Sequence, residues 1–396
     1  MTRRTIRVLL ASATTVLLVG MGVAAAVASD GVTPVAGRPG ELLDAVEIPA
    51  PGGARAWRVR YVSEGVRGTG VAVSGTVIAP DDPAPRGGRP VVAWAHATTG
   101  TADACAPSAE AAPLAGIVWL DDLLAAGYVV AATDYEGLGT EGDHPYLVGA
   151  SEGRSVLDSI RAARQLPVDA NRRAVVYGHS QGGHAALFAG ELARTYAPDL
   201  SVRGVAPGAP VASPDGFLDD AVRDFDTAGF LVMTAIGYRA AYPEVAAAPW
   251  MPTASAQQVD VAEAGCGSEV VQEFTGVDPT MVFGVDPDAV PGWEAGLRAN
   301  TPGRRASVPV LLWQGGSDEL TRPEWVDGYA RRACRRGTVL DVRLYPGADH
   351  ATVRETARGD VLAFVAARLA GERPTSTCPA RAGGAVRSRR SSHRRR

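Results

Sequence analysis

Ten residues constrain this chain more than any others: Ala174-Val175-Val176-Tyr177-Gly178-His179-Ser180-Gln181-Gly182-Gly183. Four strand-forming residues run into Gly-x-Ser-x-Gly, and a segment of helical character follows from His184 to about Tyr196. Strand, sharp turn and helix in that order hold a serine on strained backbone at the tip of a strand. Side chains two residues to either side would collide with the neighbouring strand and helix. Ser180 is therefore the candidate nucleophile. The alternative is a glycine-rich turn that happens to contain serine, and the flanking strand and helix argue against it.

Around this stretch the pattern is that of a mostly parallel sheet covered on both faces, with short, continuously apolar strands separated by helical segments. Strands are predicted at 91–95, 128–133, 174–177, 202–206, 308–313 and 339–344, and helices at about 113–126, 151–166, 181–196, 322–336 and 351–371. In the second helix Val156, Leu157, Ile160, Ala163 and Leu166 recur at helical spacing, with Asp158, Arg161 and Arg164 on the other side. Two alternating stretches upstream, 56–62 and 69–79, read as an antiparallel start to the sheet. Residues 29–54, rich in Pro, Gly and Ala, are expected to drape over the body with little regular structure. The interval 213–305 breaks the strand-helix rhythm and carries many aromatic residues in helix-like pieces cut by Pro and Gly. It reads as a cap inserted before the strand at Val308, in which most aromatics form a local core and some line an acyl pocket. The expected organisation is thus a secretion signal at 1–28, an N-terminal extension at 29–54, a core at 55–212 and 306–372, the cap at 213–305, and a disordered basic tail at 373–396.

Arg3, Arg4 and Arg7, the apolar run 8–27 and Ala26-Val27-Ala28 have the parts of an export signal, with cleavage expected after Ala28. Thr2-Arg3-Arg4-Thr5-Ile6 also resembles a twin-arginine signal, and an uncleaved membrane anchor is the rival reading. The formal net charge is −4, yet the leader carries three arginines and 381–396 seven arginines with no acid in either, so the body between them is acidic, at about −14. That excludes a nucleic-acid surface on the folded part, while the tail suits an anionic envelope polymer or lipid surface or simple solvation. Four cysteines in an exported chain favour two disulfides over metal ligation. Of the three connectivities, Cys105 with Cys266 and Cys334 with Cys378 is preferred, because the first would staple a loop near the site to the insertion.

A serine hydroxyl needs a base to take its proton, and that base needs a third group to orient it. In the α/β-hydrolase arrangement these come in the order Ser, acid, His, from loops at the carboxyl ends of successive strands. The stretch 310–319 is a buried strand, a glycine turn and an acid, which makes Asp318 the candidate orienting carboxylate, with Glu319 and Asp349 as competitors. His350 follows the last strand and is the candidate base. His179 and His184 flank the serine and are expected to point away from it or pack beneath it. His96 is expected to shape the oxyanion loop, and His144 and His393 are assigned no role. The oxyanion needs two N–H donors: one is expected from the backbone of Gln181, the other from Thr98 or Thr99 in the loop after the strand ending at Ala95.

His96-Ala97-Thr98-Thr99-Gly100, Cys105-Ala106-Pro107-Ser108, Asp134-Tyr135-Glu136-Gly137-Leu138-Gly139, His144-Pro145-Tyr146 and Gly178-His179-Ser180-Gln181-Gly182-Gly183, completed by Asp318 and His350, resemble the secretory lipases of the α/β-hydrolase superfamily. That group includes the yeast lipase A type and many exported actinobacterial proteins, and the likeness covers most of residues 40–372. Bacterial relatives often read His-Gly-Thr-Thr-Gly, so Ala97 is a departure that bears on the oxyanion loop. The resemblance implies an α/β-hydrolase fold, a cap that doubles as lid and acyl-binding region, and an acyl-ester hydrolase that needs no cofactor and no metal. A lipid or small ester is then the expected substrate, with transient contact at a lipid interface and a secreted location. Asp134 to Gly139 reads as a turn that supports the site. An acyltransferase of the same fold uses the same three residues, and a non-catalytic exported binding module is the reading that would leave them idle.

Overall fold

The computed structural model describes residues 33–223 and 225–379. The secretion signal expected at 1–28, with its twin-arginine and membrane-anchor readings, and the arginine-rich stretch 381–396 with His393 lie outside the described residues.

Among the described residues nine strands form one sheet in the order β1-β2-β3-β5-β4-β6-β7-β8-β9. The strands are β1 Leu42–Ile48, β2 Ala54–Glu64, β3 Gly70–Pro80, β4 Arg89–Ala95, β5 Val129–Glu136, β6 Ala170–His179, β7 Ser201–Gly208, β8 Val310–Gly315 and β9 Leu340–Tyr345. Pairing is antiparallel from β1 to β5 and parallel from β5 to β9, so the last six strands end on one rim. The core helices are α1 Leu120–Ala125, α2 Gly149–Ala163, α3 Gln181–Tyr196, and, after the insertion, α10 Pro323–Arg336 and α11 Val353–Ala370. Both faces are covered. Val91, Ala93 and Ala95 of β4 pack with residues of α2, α3 and α10, whereas Val92 and Trp94 pack with α1 and α11. A strand that feeds two cores has no polar face, which is why its sequence is continuously apolar rather than alternating.

Between β7 and β8 the chain forms α4 Pro214–Arg223, α5 Ala228–Ala241, α6 Pro243–Ala246, α7 Ala256–Ala264, α8 Gly267–Phe274 and α9 Trp293–Ala299. Phe217, Tyr238, Phe274, Phe283 and Trp293 share a separate buried cluster with Tyr146 and Leu147 of the core. Most of the insertion's aromatics therefore hold the insertion itself together.

Four expectations are corrected. Residues 42–48, expected to be irregular, form edge strand β1, whose pairing partners lie in β2; Asp44 and Glu47 meet Arg60 and Arg55 there, the charged edge that discourages further pairing. The helix expected over 113–126 forms only at Leu120–Ala125, since Pro113 and Gly116 disfavour it and Trp119 just before it has φ 62°. Asp158, assigned to the outer side of its helix, is fully buried, where Ser63, Tyr196 and Arg161 donate to its carboxylate. Finally, the tail begins later than 373. Thr377 N donates to Leu340 O at 2.8 Å, Val342 N donates to Thr377 Oγ1 at 3.1 Å, and Cys378 is bonded to Cys334 of α10.

Both preferred disulfides are present, Cys105 with Cys266 and Cys334 with Cys378. The second clamps residues 375–378 over the free edge of β9. Replacing both Cys334 and Cys378 with alanine is expected to lower the unfolding free energy by about 3 kcal/mol in urea titrations and to speed hydrogen exchange at the Val342 amide. Unchanged exchange at Val342 would mean that the clamp does not protect this edge.

Candidate active site

Ser180 stands between β6 and α3 with φ 59° and ψ −120°, a conformation that side-chain-bearing residues rarely adopt. The turn is held from below: Ser180 N donates to Gly208 O at 2.9 Å and His184 N to Ser180 O at 3.0 Å. Glycine is required because the first turn of α3 crosses the end of β4. A Cβ on Gly178 would stand 2.8 Å from Ala95 Cβ, and one on Gly182 would meet the Ala95 carbonyl and lie 2.7 Å from His96 O. Gln181 follows as the first residue of α3, and amides in a first helical turn have no acceptor within the helix.

Asp318 and His350 meet. The loop after β8 and the loop after β9 bring His350 Nδ1 to 2.9 Å from Asp318 Oδ2. The carboxylate is fully buried and takes further bonds from Leu320 N at 3.0 Å, Thr321 N at 2.8 Å, Thr321 Oγ1 at 2.9 Å and Gln314 Nε2 at 3.0 Å. Burial alone would raise its pKa and is the largest single influence. The hydrogen bond and charge of His350, with the Thr321 donors, outweigh it and hold the carboxyl below its usual value. Of the competing acids, Asp349 binds its own Thr352 and caps the following turn.

His179 joins the serine turn to the His350 loop. Its Nε2 lies 2.8 Å from His350 O, so that nitrogen carries the proton, and its ring lies 4.6 Å from the His350 ring and 5.7 Å from Trp313. Burial, then the charges of His350 and Arg354, push its pKa down to about 3, so it is a neutral donor across the working range. His96 lies at the end of β4 and bridges Ala97 O at 2.7 Å and Asp134 O at 3.3 Å. The Thr98 hydroxyl meets Tyr146 OH at 2.8 Å, and Thr99 O accepts from Gly267 N at 2.8 Å, which ties this loop to the insertion beside the Cys105–Cys266 bond. Asp134 accepts from Ser74 Oγ at 2.7 Å and Ser108 N at 3.0 Å, a supporting contact beneath the loop. A cavity of about 150 Å³ opens beside the loop, lined in part by Trp94, His96, Thr98, Thr99, Ile117 and His179.

Behind the serine lies a buried polar network that the sequence did not reveal. Glu152, in the first turn of α2, accepts from Gln181 Nε2 at 2.9 Å and Leu147 N at 3.2 Å, and its other oxygen lies 2.7 Å from His184 Nδ1. His184 Nε2 donates to Asn300 O at 2.8 Å, so the Glu152–His184 contact holds a second proton, on the ring or the carboxyl. His144, which was given no role, is fully buried. Its Nδ1 donates to Glu136 O at 2.7 Å and its Nε2 accepts from Gln181 Nε2 at 3.0 Å. Glu152, Gln314 and Thr321 carried no local motif, and His144 stood in His144-Pro145-Tyr146 without an assigned role; for Glu152 and Gln314 the available signal was a polar residue within an otherwise apolar helix face or strand.

A family model described as secretory lipase matches residues 114–293. Over that segment the chain is similar to the secretory lipases. Lipase A of Moesziomyces aphidis is 27% identical over 273 residues, 64% of this chain and 56% of that protein. A trichothecene C-3 esterase of Fusarium sporotrichioides is 37% identical over 129 residues, 31% of this chain and 28% of that protein. The chain therefore spans little more than half of the first relative and under a third of the second. Among solved structures, lipase A of Candida antarctica in its closed state superposes with a TM-score of 0.73 at 22% identity, over 86% of this chain and 84% of that one. The fold is that of the α/β-hydrolases, as the sequence pattern predicted. The matched segment runs from the approach to α1 through β5, α2, the serine turn and most of the insertion.

Burial outweighs the Glu136 carbonyl bond, which acts in the opposite sense, and pushes the His144 pKa down to about 4 from an ordinary 6.5. The unfolded chain therefore takes up this proton first as pH falls, so the residue's contribution to stability is intact above about pH 6.5 and is lost between there and about pH 4. His144→Gln is expected to flatten that decline by about 3 kcal/mol, read as the difference in unfolding free energy between variant and parent at each pH. The difference is the proper readout because Asp158, pushed up to about 6 mainly by burial, contributes a slope of opposite sign. Parallel curves for variant and parent would mean that His144 is not a buried neutral base.

Proposed function

We propose that this chain is a secreted serine carboxylic-ester hydrolase that cleaves acyl esters, such as acylglycerols, through an acyl-Ser180 intermediate. The observation that carries this reading is the buried Asp318–His350 contact of 2.9 Å, joined through His179 to the strained turn that presents Ser180. His350 takes the Ser180 proton on Nε2 while its Nδ1–H stays bonded to Asp318. The carboxylate fixes the tautomer and offsets the positive charge that develops on the ring. Its five hydrogen bonds leave Asp318 ionised and immobile, which suits an orienting group better than a proton acceptor.

Attack on the ester carbonyl places negative charge on its oxygen, next to the first turn of α3. The Gln181 amide is one donor to it, and the amide of Thr98 or Thr99 is the second; losing one such donor costs about a hundredfold or more in rate. The buried network that holds the Gln181 side chain fixes the first donor from behind. The alcohol leaves with the proton from His350, and water then attacks the acyl-enzyme along the reverse path. The insertion is read as a lid and acyl-binding cap, supported by the contacts of Cys266 and Gly267 with Thr99 and Gly100 and by its own core. Two disulfides, and relatives that include secreted triacylglycerol lipases of Malassezia, support an extracellular location.

Hydrolysis of p-nitrophenyl esters from acetate to palmitate, with and without an oil interface, checks the activity and its chain-length preference. Ser180→Ala and His350→Ala are expected to lower kcat by several orders of magnitude, and Asp318→Asn by about 10⁴-fold, with the fold retained by circular dichroism. Near-parental turnover in His350→Ala would move the base elsewhere, and no turnover by the parent on any of these esters would remove the reading.

A further inference from the structure

The charges of this chain are segregated along the strand axis. Residues 209–303, the chain from the carboxyl end of β7 through most of the insertion but short of its last two residues, Arg304 and Arg305, hold fourteen acidic side chains and three arginines. The opposite rim, where the parallel strands begin, is arginine-rich. Exposed Arg172 and Arg203 lie in the first residues of β6 and β7, exposed Arg304 and Arg305 precede β8, and exposed Arg335 and Arg336 close α10 just before β9. The parallel register sets these strand starts side by side, with Arg173 opposite Ser201 and Val310 opposite Leu340.

None of these six arginines takes part in an ion pair among the described residues. Three acids of the same rim are already engaged, Asp82 with Arg89, Asp199 with Arg161, and Asp341 with Arg343. Exposed Asp81, Asp169 and Glu372 offset part of the remaining charge. The Cys334–Cys378 bond then ties the chain to α10 beside Arg335 and Arg336, and the sequence beyond continues with seven arginines and no acid. The whole chain has no lysine, so every fixed side-chain cation is a guanidinium, the group that pairs with phosphate through two parallel bonds.

We propose that this arginine rim docks the protein on an anionic phospholipid membrane and holds Ser180 and the acidic insertion away from it; the seven arginines of 381–396 add to the chain's attraction for such a surface by their charge alone. The arginines are strung along the edge of a sheet, so they match an extended plane of phosphate groups rather than a single ligand. Val339, 39% exposed between Arg336 and β9, adds an apolar contact at headgroup depth. The like charge of the insertion and the surface repels the other end, which sets the orientation.

Sedimentation of the full chain with vesicles of phosphatidylcholine containing about a third phosphatidylglycerol tests this, with pure phosphatidylcholine as control. Binding is expected to the anionic vesicles only and to weaken more than about tenfold from low to moderate salt. A chain ending at Pro379 is expected to bind more weakly yet measurably, and Arg→Gln at all six rim positions in that chain is expected to reduce binding by at least about a hundredfold, from roughly fivefold per arginine. Arg304→Gln with Arg305→Gln alone gives a milder variant, expected to lose about twentyfold. Hydrogen exchange on vesicles is expected to slow at the end of α10 and the starts of β6 and β7, but not in α4 to α9. Equal binding to neutral vesicles, full binding by the six-position variant, complete loss on removing the tail alone, protection over the insertion, or a preference for duplex DNA over vesicles would each overturn the proposal.

Discussion

The close crossing of α3 over the end of β4 is the contact on which the rest of the site depends. Glycines at 178 and 182 let the helix start within van der Waals distance of Ala95, and the serine between them then has no relaxed conformation available. The strain at Ser180 is balanced by its backbone bonds to Gly208 and His184 and by packing on both sides of β6. Because the strands from β5 to β9 are parallel, their ends share a rim, so the loops that carry Thr98, Asp318 and His350 arrive beside that turn without any special long-range device.

What special devices there are lie one layer back. Asp318 is gripped by Gln314 and Thr321, His350 is braced by His179 and Trp313, and Gln181 is anchored to Glu152 and His144. Apart from partly exposed His350 these groups are buried, and their hydrogen bonds offset much of the cost of burial, with Gln181 Oε1 and Gln314 Oε1 left without a partner. Asn300 extends the network to the insertion: its side chain receives from Gly149 N at 3.1 Å and donates to Tyr242 OH at 2.7 Å. The place where the insertion returns to the core is therefore joined to the same scaffold that holds the serine turn.

Much of this was legible in the sequence because its causes are local. Continuous apolar runs marked the central strands, the glycine spacing marked the turn, and Asp318 and His350 each followed a strand in the order the fold requires. The cysteine pairing was legible only as a preference. Edge strand β1 was missed because a strand paired on one side needs little apolar character, and Leu42–Ile48 carries Asp44 and Glu47. Glu152, His144 and buried Asp158 escaped for the opposite reason: each has a hydrogen-bond partner 29 or more residues away, and polarity in a sequence reads as exposure unless such partners are known. The Asp134 turn and the His96 bridge, by contrast, could be assigned to support from their place at strand ends.

A rim of guanidinium groups at one end and an acidic insertion at the other give the molecule a polarity aligned with its strands. The chemistry is the part most directly open to test. Peptide mapping by mass spectrometry after treatment with an organophosphorus ester should find one phosphorylated residue, Ser180, in the parent and none in folded His350→Ala. An adduct on another residue, or an undiminished Ser180 adduct without His350, would contradict the central claim that His350, held by Asp318, activates Ser180.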